Sequence, residues 1–269
     1  DVLLPDTDLS GTIADELGNL SKLINLNLSN NQLSGNIPGE LSHLSNLQSL
    51  LLSANQLSGE IPAELGNLGL LTRLELSSNQ LSGNIPAEFA YLNSLKHLFL
   101  FYNELSGEIP VELGNLSNLE HLHAGFNQLS GNIPSELSHL THLQELSLQH
   151  NQLSGNIPVG FGNLTNLEVL SLRNNQLNGN IPPEIGNLNN LTRIYLQHNQ
   201  LNGAIPPELG NLNRIQRLFI TYNQLSGCYA PELLNLCSQL SEADISQGNN
   251  FDATWQDFCN TGTGSCEPV

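Results

Sequence analysis

Residues Leu23–Asn46 read LINLNLSNNQLSGNIPGELSHLSN, and this stretch recurs every 24 residues, without insertion or deletion, until about Leu236. Written as a pattern, the unit is L-x-x-L-x-L-x-x-N-x-L-s-G-x-I-P-x-x-L-g-n-L-x-x. A fixed period of this size predicts a repeat protein in which each unit packs only on its neighbours. The complete units begin at Leu23, Leu47, Leu71, Leu95, Leu119, Leu143, Leu167, Leu191 and Ile215.

The first half of the unit, L-x-x-L-x-L, alternates apolar and polar residues and therefore predicts a short strand. In the unit that begins at Leu95, we expect Leu98 and Leu100 to point inward and His97 and Phe99 to point outward. Stacking of the units would place these strands side by side in a parallel sheet, about 4.8 Å apart. The second half predicts a tight bend followed by a short helical or 3₁₀ segment on the opposite side.

Two columns of fixed polar or small residues have a structural interpretation. Asn31 and its equivalents up to Asn223 are expected to bond backbone groups of their own turn and the next one. Gly35 and its equivalents up to Gly227 stand where the chain bends closely against its neighbour or needs a positive φ. We therefore expect neither column to carry a function.

Composition limits the classes of function. The formal charge is −18, from 25 acidic and 7 basic residues, which disfavours nucleic acid and anionic lipid as partners. No stretch approaches the 18 apolar residues of a membrane span, and no signal peptide is present. The chain begins inside a repeat, so we expect a mature or trimmed fragment. G-x-S-x-G, H-E-x-x-H and P-loop motifs do not occur, and neither enzymatic activity nor a cofactor is expected.

The repeats resemble those of leucine-rich repeat proteins, and the L-s-G-x-I-P half is similar to the plant-type subclass of receptor ectodomains and polygalacturonase-inhibiting proteins. This resemblance implies an α/β repeat solenoid, curved, with a concave parallel sheet and short 3₁₀ or helical convex segments. It also implies a secreted or cell-surface protein that recognises a protein, peptide or glycan. We expect a truncated first repeat at 1–22, nine repeats at 23–238 and a C-terminal cap at 239–269.

The four cysteines all follow the last regular unit, at Cys228, Cys237, Cys259 and Cys266. An even number at the open end of the repeats predicts a disulfide-stapled cap in an oxidising compartment. Zinc is a weaker alternative because the spacings fit no C-x-x-C pair. Four cysteines permit three pairings, of which we favour Cys228–Cys237 and Cys259–Cys266. The segments GCYAPELLNLC and DFCNTGTGSC resemble caps of microbial secreted leucine-rich repeat proteins. Three aromatic residues are expected to cover the last repeat: Phe251, Trp255 and Phe258.

The residues that differ between units carry the information about a ligand, chiefly those on the outward face of the strands. Read down these positions, the larger residues form two groups. The central cluster comprises His97, Phe99, Phe101, Tyr102, His121, His123, Phe126 and His150. The C-terminal cluster comprises Arg173, Arg193, Tyr195, His198, Arg217, Phe219 and Tyr222. This face holds seven of the 14 aromatic residues, five of the 8 histidines and, with Lys96, five of the 7 basic residues.

Such a concentration predicts a binding surface, because Tyr, Phe and Arg are enriched at interaction hot spots and contiguous exposed aromatics are unusual without a partner. The ligand would be a protein, peptide or glycan that offers carboxylates together with apolar or sugar faces. One alternative is that aromatics simply suit strands. A second is a metal ion held by His97, His121 and His123, which would lie on one face within about 5–7 Å.

A different hypothesis concerns the bend that follows each strand. Gln32, Ser34 and Asn36 recur almost unchanged and would form a regular polar ladder able to match a periodic ligand, such as ice or a polysaccharide. A merely soluble face is the competing interpretation, since the ladder lacks threonine and its asparagine column is interrupted at Glu60, Glu108 and Ala204.

Overall fold

The computed structural model describes residues 1–266, and the chain folds as two compact units, Asp1–Ser130 and Gly131–Val269. Within each unit the repeats contribute a strand of a main parallel sheet, most contribute a strand of a second parallel sheet, and each ends in a short 3₁₀ helix. The predicted fold class, an α/β repeat solenoid with a parallel sheet and short 3₁₀ segments, is confirmed. The predicted boundaries of the cap and of the truncated first repeat stay predictions.

The main sheet is formed by the L-x-x-L-x-L segments. In the first unit its strands are Val2–Leu3, Asn25–Asn27, Ser49–Leu51, Arg73–Glu75, His97–Phe99 and His121–His123. In the second unit they are Glu145–Ser147, Val169–Ser171, Arg193–Tyr195, Arg217–Phe219 and Glu242–Asp244. Neighbouring strands align residues one repeat apart, so that His97 lies opposite His121. Leu98 is fully buried while His97 and Phe99 are half-buried, as the alternation predicts.

A second set of parallel strands follows the asparagine that recurs in each repeat, and the sequence did not lead us to expect it. In the first unit these strands are Ser10–Thr12, Gln32–Gly35, Gln56–Glu60 and Gln80–Ser82. In the second unit they are Ser154–Asn156, Gln176–Asn178, Asn202–Gly203, Gln224–Gly227 and Asn250–Phe251. We call them the second sheets. They place Gln32 and Ser34 of the polar ladder on a strand rather than in a bend, whereas Asn36 directly follows that strand.

Each regular repeat closes with a 3₁₀ helix that begins after a proline or alanine in extended conformation, for example Pro38 at φ −66°. These helices are Asp15–Asn19, Gly39–His43, Ala63–Asn67, Ala87–Tyr91, Val111–Asn115, Ser135–His139, Val159–Asn163, Pro183–Asn187, Pro207–Asn211 and Pro231–Leu233. Two α-helices follow at Leu234–Cys237 and Trp255–Thr261. Among residues 1–266, no helix is long and apolar enough to cross a membrane.

The asparagine column joins the two kinds of sheet. The side-chain amide of Asn79 donates to the carbonyl oxygens of Leu52 and Leu76, both at 3.0 Å, at the ends of two main-sheet strands. Its Oδ1 accepts the amide of Leu57, at 3.0 Å, in a second-sheet strand of the preceding repeat. The same pattern recurs along the column, for example at Asn199, so the structural interpretation of these asparagines is confirmed, with bonds to the preceding turn.

The C-terminal cysteines form disulfides, but the favoured pairing is wrong. Cys228 bonds to Cys266 and Cys237 bonds to Cys259, with Cα–Cα distances of 5.1 and 5.5 Å. The helix Trp255–Thr261 packs back toward Leu234–Cys237 and brings Cys259 beside Cys237, which sequential pairing could not accommodate.

Aromatic rings fill the space inside this cap. Tyr229 and Phe258 are fully buried, with ring centroids 4.9 Å apart, and the ring of Trp255 lies 5.4 Å from that of Phe258. Phe251 contacts Tyr229 at 5.0 Å. The expectation that these aromatics cover the end of the repeats agrees with this packing, and Tyr229 is the additional residue at its centre.

Candidate functional site

The turn after each main-sheet strand holds its first residue in the left-handed backbone region. The φ values lie between 52° and 58° at Asn30, Ala54, Ser78, Tyr102, Phe126, His150, Asn174, His198 and Tyr222. Asparagine tolerates this conformation, whereas other L-residues pay roughly 1 kcal/mol for it. Bulky rings therefore occupy strained positions in both clusters, a cost that the sequence pattern did not reveal.

Four rings of the central cluster form a square on two adjacent strands of the first unit. His97 lies opposite His121 with ring centroids 4.9 Å apart, and Phe99 lies opposite His123 at 4.8 Å. All four side chains are half-buried, because each covers its neighbour. The strands thus present a nearly continuous surface of ring atoms.

A second group of rings extends this surface past the strand ends. Tyr102 stacks on Phe126, with centroids 4.2 Å apart and planes 21° from parallel, and Phe101 meets Tyr102 edge to face at 5.6 Å. Phe101 also lies 6.3 Å from His123, which joins the two groups. Tyr102 is the most open member, with half of its surface exposed. Up to Phe126, the structure therefore brings the predicted central cluster together.

The two imidazoles at the edge of the square are in direct contact. Nδ1 of His97 lies 3.0 Å from Nδ1 of His121, so one of the two nitrogens carries a hydrogen and donates a hydrogen bond to the other. Burial, then the nearby His121, Arg73 and Lys96, lowers the pKa of His97 below its ordinary value. The lowered pKa favours the uncharged form of the His97 ring.

Acidic side chains pair with the cations of this face. Nε of Arg73 donates to Oε1 of Glu75 at 2.6 Å, and the Arg73 guanidinium also lies over the Phe99 ring, 5.3 Å from its centroid. Nζ of Lys96 donates to Glu120 at 2.8 Å, and this bond lowers the pKa of Glu120. Sequence reasoning counted the cations and missed these partners. Glu75 lies two residues after Arg73, and Glu120 lies one repeat after Lys96, so the sequence could have indicated both pairs.

The remaining central-cluster residue, His150, lies in the second unit. Its Nε2 is 3.3 Å from the side-chain amide nitrogen of Asn174. Burial first, then the charges of Arg173 and His198, lowers the pKa of His150. His150 is therefore described with the second unit, separately from the seven residues before it.

The C-terminal cluster forms ring pairs like those of the first unit. Beside them lie Arg193 and Arg217, at the position that His97 and His121 occupy in the first unit. Tyr195 and Phe219 lie opposite each other with centroids 5.4 Å apart. His198 stacks on Tyr222 at 4.5 Å, with planes only 8° apart. These pairs use the same two columns as the central cluster.

Its cationic side is also partly neutralised. Arg193 and Arg217 are neighbours in register, and Nε of Arg217 pairs with Glu242 at 3.0 Å. Glu242 begins the last main-sheet strand, Glu242–Asp244, which lies beyond the regular repeats. Arg193 is exposed.

The polar ladder has a packing role of its own. A Cβ atom on Gly59 would meet Oδ1 of Asn36, and one on Gly107 would meet Oδ1 of Asn84. Each asparagine thus covers the glycine of the next repeat, while Gln32 and its equivalents are exposed. The uniformity of this ladder follows at least in part from the stacking of the repeats.

Comparison with protein-family models gives leucine-rich repeat matches over most of the chain. The model described as a leucine-rich repeat region matches residues 6–133, and a model of two leucine-rich repeats matches residues 117–159, 141–185 and 165–210. No curated protein matches the chain.

Three solved structures are similar to the chain along most of its length. The plant peptide hormone receptor RGFR1 in complex with RGF2 is 43% identical, with a TM-score of 0.88, over 90% of this chain and 38% of the receptor chain. The Arabidopsis receptor kinase HAESA ectodomain, in complex with an extended IDA peptide hormone, is 38% identical, with a TM-score of 0.83, over 88% and 40%. A plant ice-binding protein is 31% identical, with a TM-score of 0.76, over 94% and 84%. The chain thus spans about two-fifths of the length of each receptor chain.

Proposed function

Because this chain belongs to the leucine-rich repeat family, we propose that it is an extracellular recognition module that binds an extended peptide on the outward face of its main sheet. The observation that carries this proposal is the contiguous ring surface from His97 to Phe126 in the first unit. The similar receptor structures contain peptide hormones, which supports a peptide over other ligands. Recognition by a module of this kind involves no catalysis.

The ring surface indicates what the peptide should present. Half-buried Phe99 and Phe101 offer ring edges and faces to an apolar or aromatic side chain, and such contacts lose water at low entropic cost. Tyr102 and Phe126 also have a strained, left-handed backbone. Bulky residues with such a backbone often occur at functional sites, which supports a binding role for these two. We therefore place the centre of the peptide against these four residues.

Charge should contribute less to peptide affinity than the concentration of basic residues on this face suggested. Arg73 and Lys96 are already paired with Glu75 and Glu120, so a carboxylate on the ligand would displace an existing partner. In the His97–His121 pair, the ring whose Nδ1 accepts the hydrogen bond carries its proton on Nε2 and can donate it to one carboxylate. The peptide would thus carry an acidic residue beside its apolar one, and its affinity would depend only weakly on salt.

The extracellular assignment rests on the cap. Cys228–Cys266 and Cys237–Cys259 are disulfides, which persist in oxidising compartments. The receptors to which the chain is similar are described as ectodomains or hormone receptors.

The proposal is tested by selection from a random peptide library displayed on phage, with the full chain immobilised. Peptides that bind a Phe99→Ala, Phe101→Ala, Tyr102→Ala variant are removed from the selected pool. This variant should keep its fold, since the three side chains lie on the surface. We expect selected peptides that share an apolar and an acidic residue and that do not bind the variant. Selected peptides that bind both proteins equally would overturn the central site. Binding confined to a parallel glycan array would reject a peptide as the ligand class.

The polar ladder supports a second candidate, binding of ice or of a regular polysaccharide. The second sheets space exposed Gln side chains at strand intervals of about 4.8 Å, and the plant ice-binding protein is similar along nearly the whole chain. Thermal hysteresis of the purified chain tests this candidate. A freezing point below the melting point would support it, and ordinary freezing together with no retention on insoluble polysaccharides would reject it.

A further inference from the structure

His97, His121 and Glu120 bring three potential metal-ligand atoms to one edge of the central cluster. The Nδ1 atoms of the two rings are 3.0 Å apart, and all three ligand atoms lie within 4.8 Å of one another. We propose that this edge binds one divalent transition ion of the imidazole-preferring class, with zinc and copper as its members. The site goes beyond the proposed peptide binding, although it shares His97 and His121 with the ring surface: the ion would bind their nitrogens together with Glu120.

The nitrogen pair has the separation that such an ion requires. Two nitrogens bound to tetrahedral zinc at about 2.0–2.1 Å are about 3.3 Å apart. Two adjacent nitrogens in a square-planar copper site are about 2.9 Å apart. The observed 3.0 Å lies between these values, so small ring rotations let both imidazoles bind one ion.

Glu120 replaces the third histidine that the sequence suggested. His123 lies on the same strand as His121, but its ring packs against Phe99 with centroids 4.8 Å apart. Glu120 precedes the strand and reaches the edge where the imidazole nitrogens meet. The donor set of two imidazoles and one carboxylate suits zinc or copper and leaves open positions for water.

The charges around this edge permit an ion here. Arg73 and Lys96 oppose a cation locally, but Glu75 and Glu120 offset them, and the chain as a whole carries −18. Lys96 is the main competitor, because its ammonium holds the carboxylate that the ion would use.

Calorimetric titration of the full chain with zinc chloride, and separately with copper chloride in a weakly chelating buffer, tests the site. We expect one ion per chain. His97→Asn and His121→Ser should weaken binding by at least about tenfold. Both replacements occur at the same position in other repeats, at Asn25 and Ser49, so the fold should tolerate them; thermal melts check this.

Matched variants separate this site from general binding to surface histidines. His123→Ala, and the remote exposed His43→Ala and His139→Ala, should leave the affinity unchanged, whereas Glu120→Gln should weaken it several-fold. Lys96→Met should tighten it, because the competing ammonium is gone. Absence of heat with both ions, equal losses in the remote variants, or weaker binding by Lys96→Met would each overturn the proposal. Peptide selection on Phe99, Phe101 and Tyr102 is independent of these outcomes.

Discussion

The main sheet and the second sheets are built on the same leucine core, yet their outward surfaces differ in how much the residues vary from repeat to repeat. Along the main sheet, the outward residue at one position changes from Asn27 through Phe99 and His123 to Tyr195. Along the second sheets, glutamine recurs in almost every repeat as at Gln32. The comparison shows which positions of a repeat protein can vary between repeats and so determine the ligand that it binds.

Packing explains the difference. Beside the second sheets, an asparagine such as Asn36 packs against the glycine of the next repeat, and this contact limits the residues that fit there. On the main sheet, outward side chains contact other outward side chains on the same and adjacent strands, for example Phe99 with His123, and many residue types are compatible. We therefore assign a specific ligand to the main sheet, and only a periodic ligand could use the second sheets.

The largest effect should come from converting the distinctive repeat into an ordinary one. In His97→Asn, Phe99→Asn, Phe101→Ser, Tyr102→Asn, the repeat receives the residues that the first complete repeat carries at Asn25, Asn27, Ser29 and Asn30. We expect at least about a hundredfold loss of affinity for a selected peptide, because several hot-spot rings are removed together. Titration calorimetry measures the loss.

Stability is the control for that variant. Tyr102→Asn relieves a strained left-handed residue, so the midpoint of thermal unfolding should stay the same or rise. A lower midpoint together with lost binding would mean that the rings hold the sheet together, which would remove the contrast between the two surfaces.

The scaffold that both surfaces share should respond differently. Asn79→Ala removes an amide that bonds Leu52, Leu57 and Leu76, and it leaves their backbone groups without these partners. We expect a loss of about 2–4 kcal/mol in the free energy of unfolding, measured by urea denaturation. Asn84→Ala, just beyond the second-sheet strand Gln80–Ser82, is the matched control and should cost less than about 1 kcal/mol. Equal losses would contradict the separation of scaffold from surface.

The regularity of the second sheets can be increased directly. Glu60→Asn and Glu108→Asn restore the interrupted asparagine column without touching the main sheet. Peptide affinity should change by less than about twofold, since these residues are remote from the rings, and stability by less than about 0.5 kcal/mol. If the ladder binds ice, thermal hysteresis should increase in the same variant. A substantial change in peptide affinity would show that the two surfaces are not independent.

The smallest effect concerns pH. The folded-state pKa of His97 is lowered, so the unfolded chain binds more protons as the pH falls through the ordinary histidine range. The contribution of His97 to stability is therefore present above its unfolded pKa and is lost as the pH falls toward its folded pKa. Urea midpoints at pH 7.5 and 5.0 should show a smaller decrease in His97→Asn than in the wild type. Equal decreases would contradict the burial of a neutral ring.

Much of this molecule could be predicted from the period alone, because leucine positions define the core and the strands. The second sheets were missed because Gln-Leu-Ser-Gly carries no β-branched or aromatic signal for a strand. Strain at Tyr102 was missed for a similar reason, since only the backbone reveals the left-handed turn. Sequence patterns describe side chains better than they describe the path of the chain between them.

The cap and the charges show a second limit. Cys228 and Cys266 are paired across 38 residues because the α-helices bring distant segments together, and spacing alone contains no such distance. Ion pairs such as Lys96–Glu120 are visible in the sequence as opposite charges one repeat apart. The central cluster and the proximity of His97 to His121 were predicted from the sequence, whereas the 3.0 Å contact between their Nδ1 atoms is seen only in the structure.

The central claim is that binding depends on the outward face of the main sheet. It is tested most directly by the affinity of one selected peptide for three proteins: the wild type, Phe99→Ala/Phe101→Ala/Tyr102→Ala, and the matched second-sheet variant Gln80→Ala/Ser82→Ala/Asn84→Ala. We predict that the first triple variant loses the peptide while the second keeps wild-type affinity, with similar melting midpoints for all three. Loss of binding in the second-sheet variant with retention in the first would contradict this account.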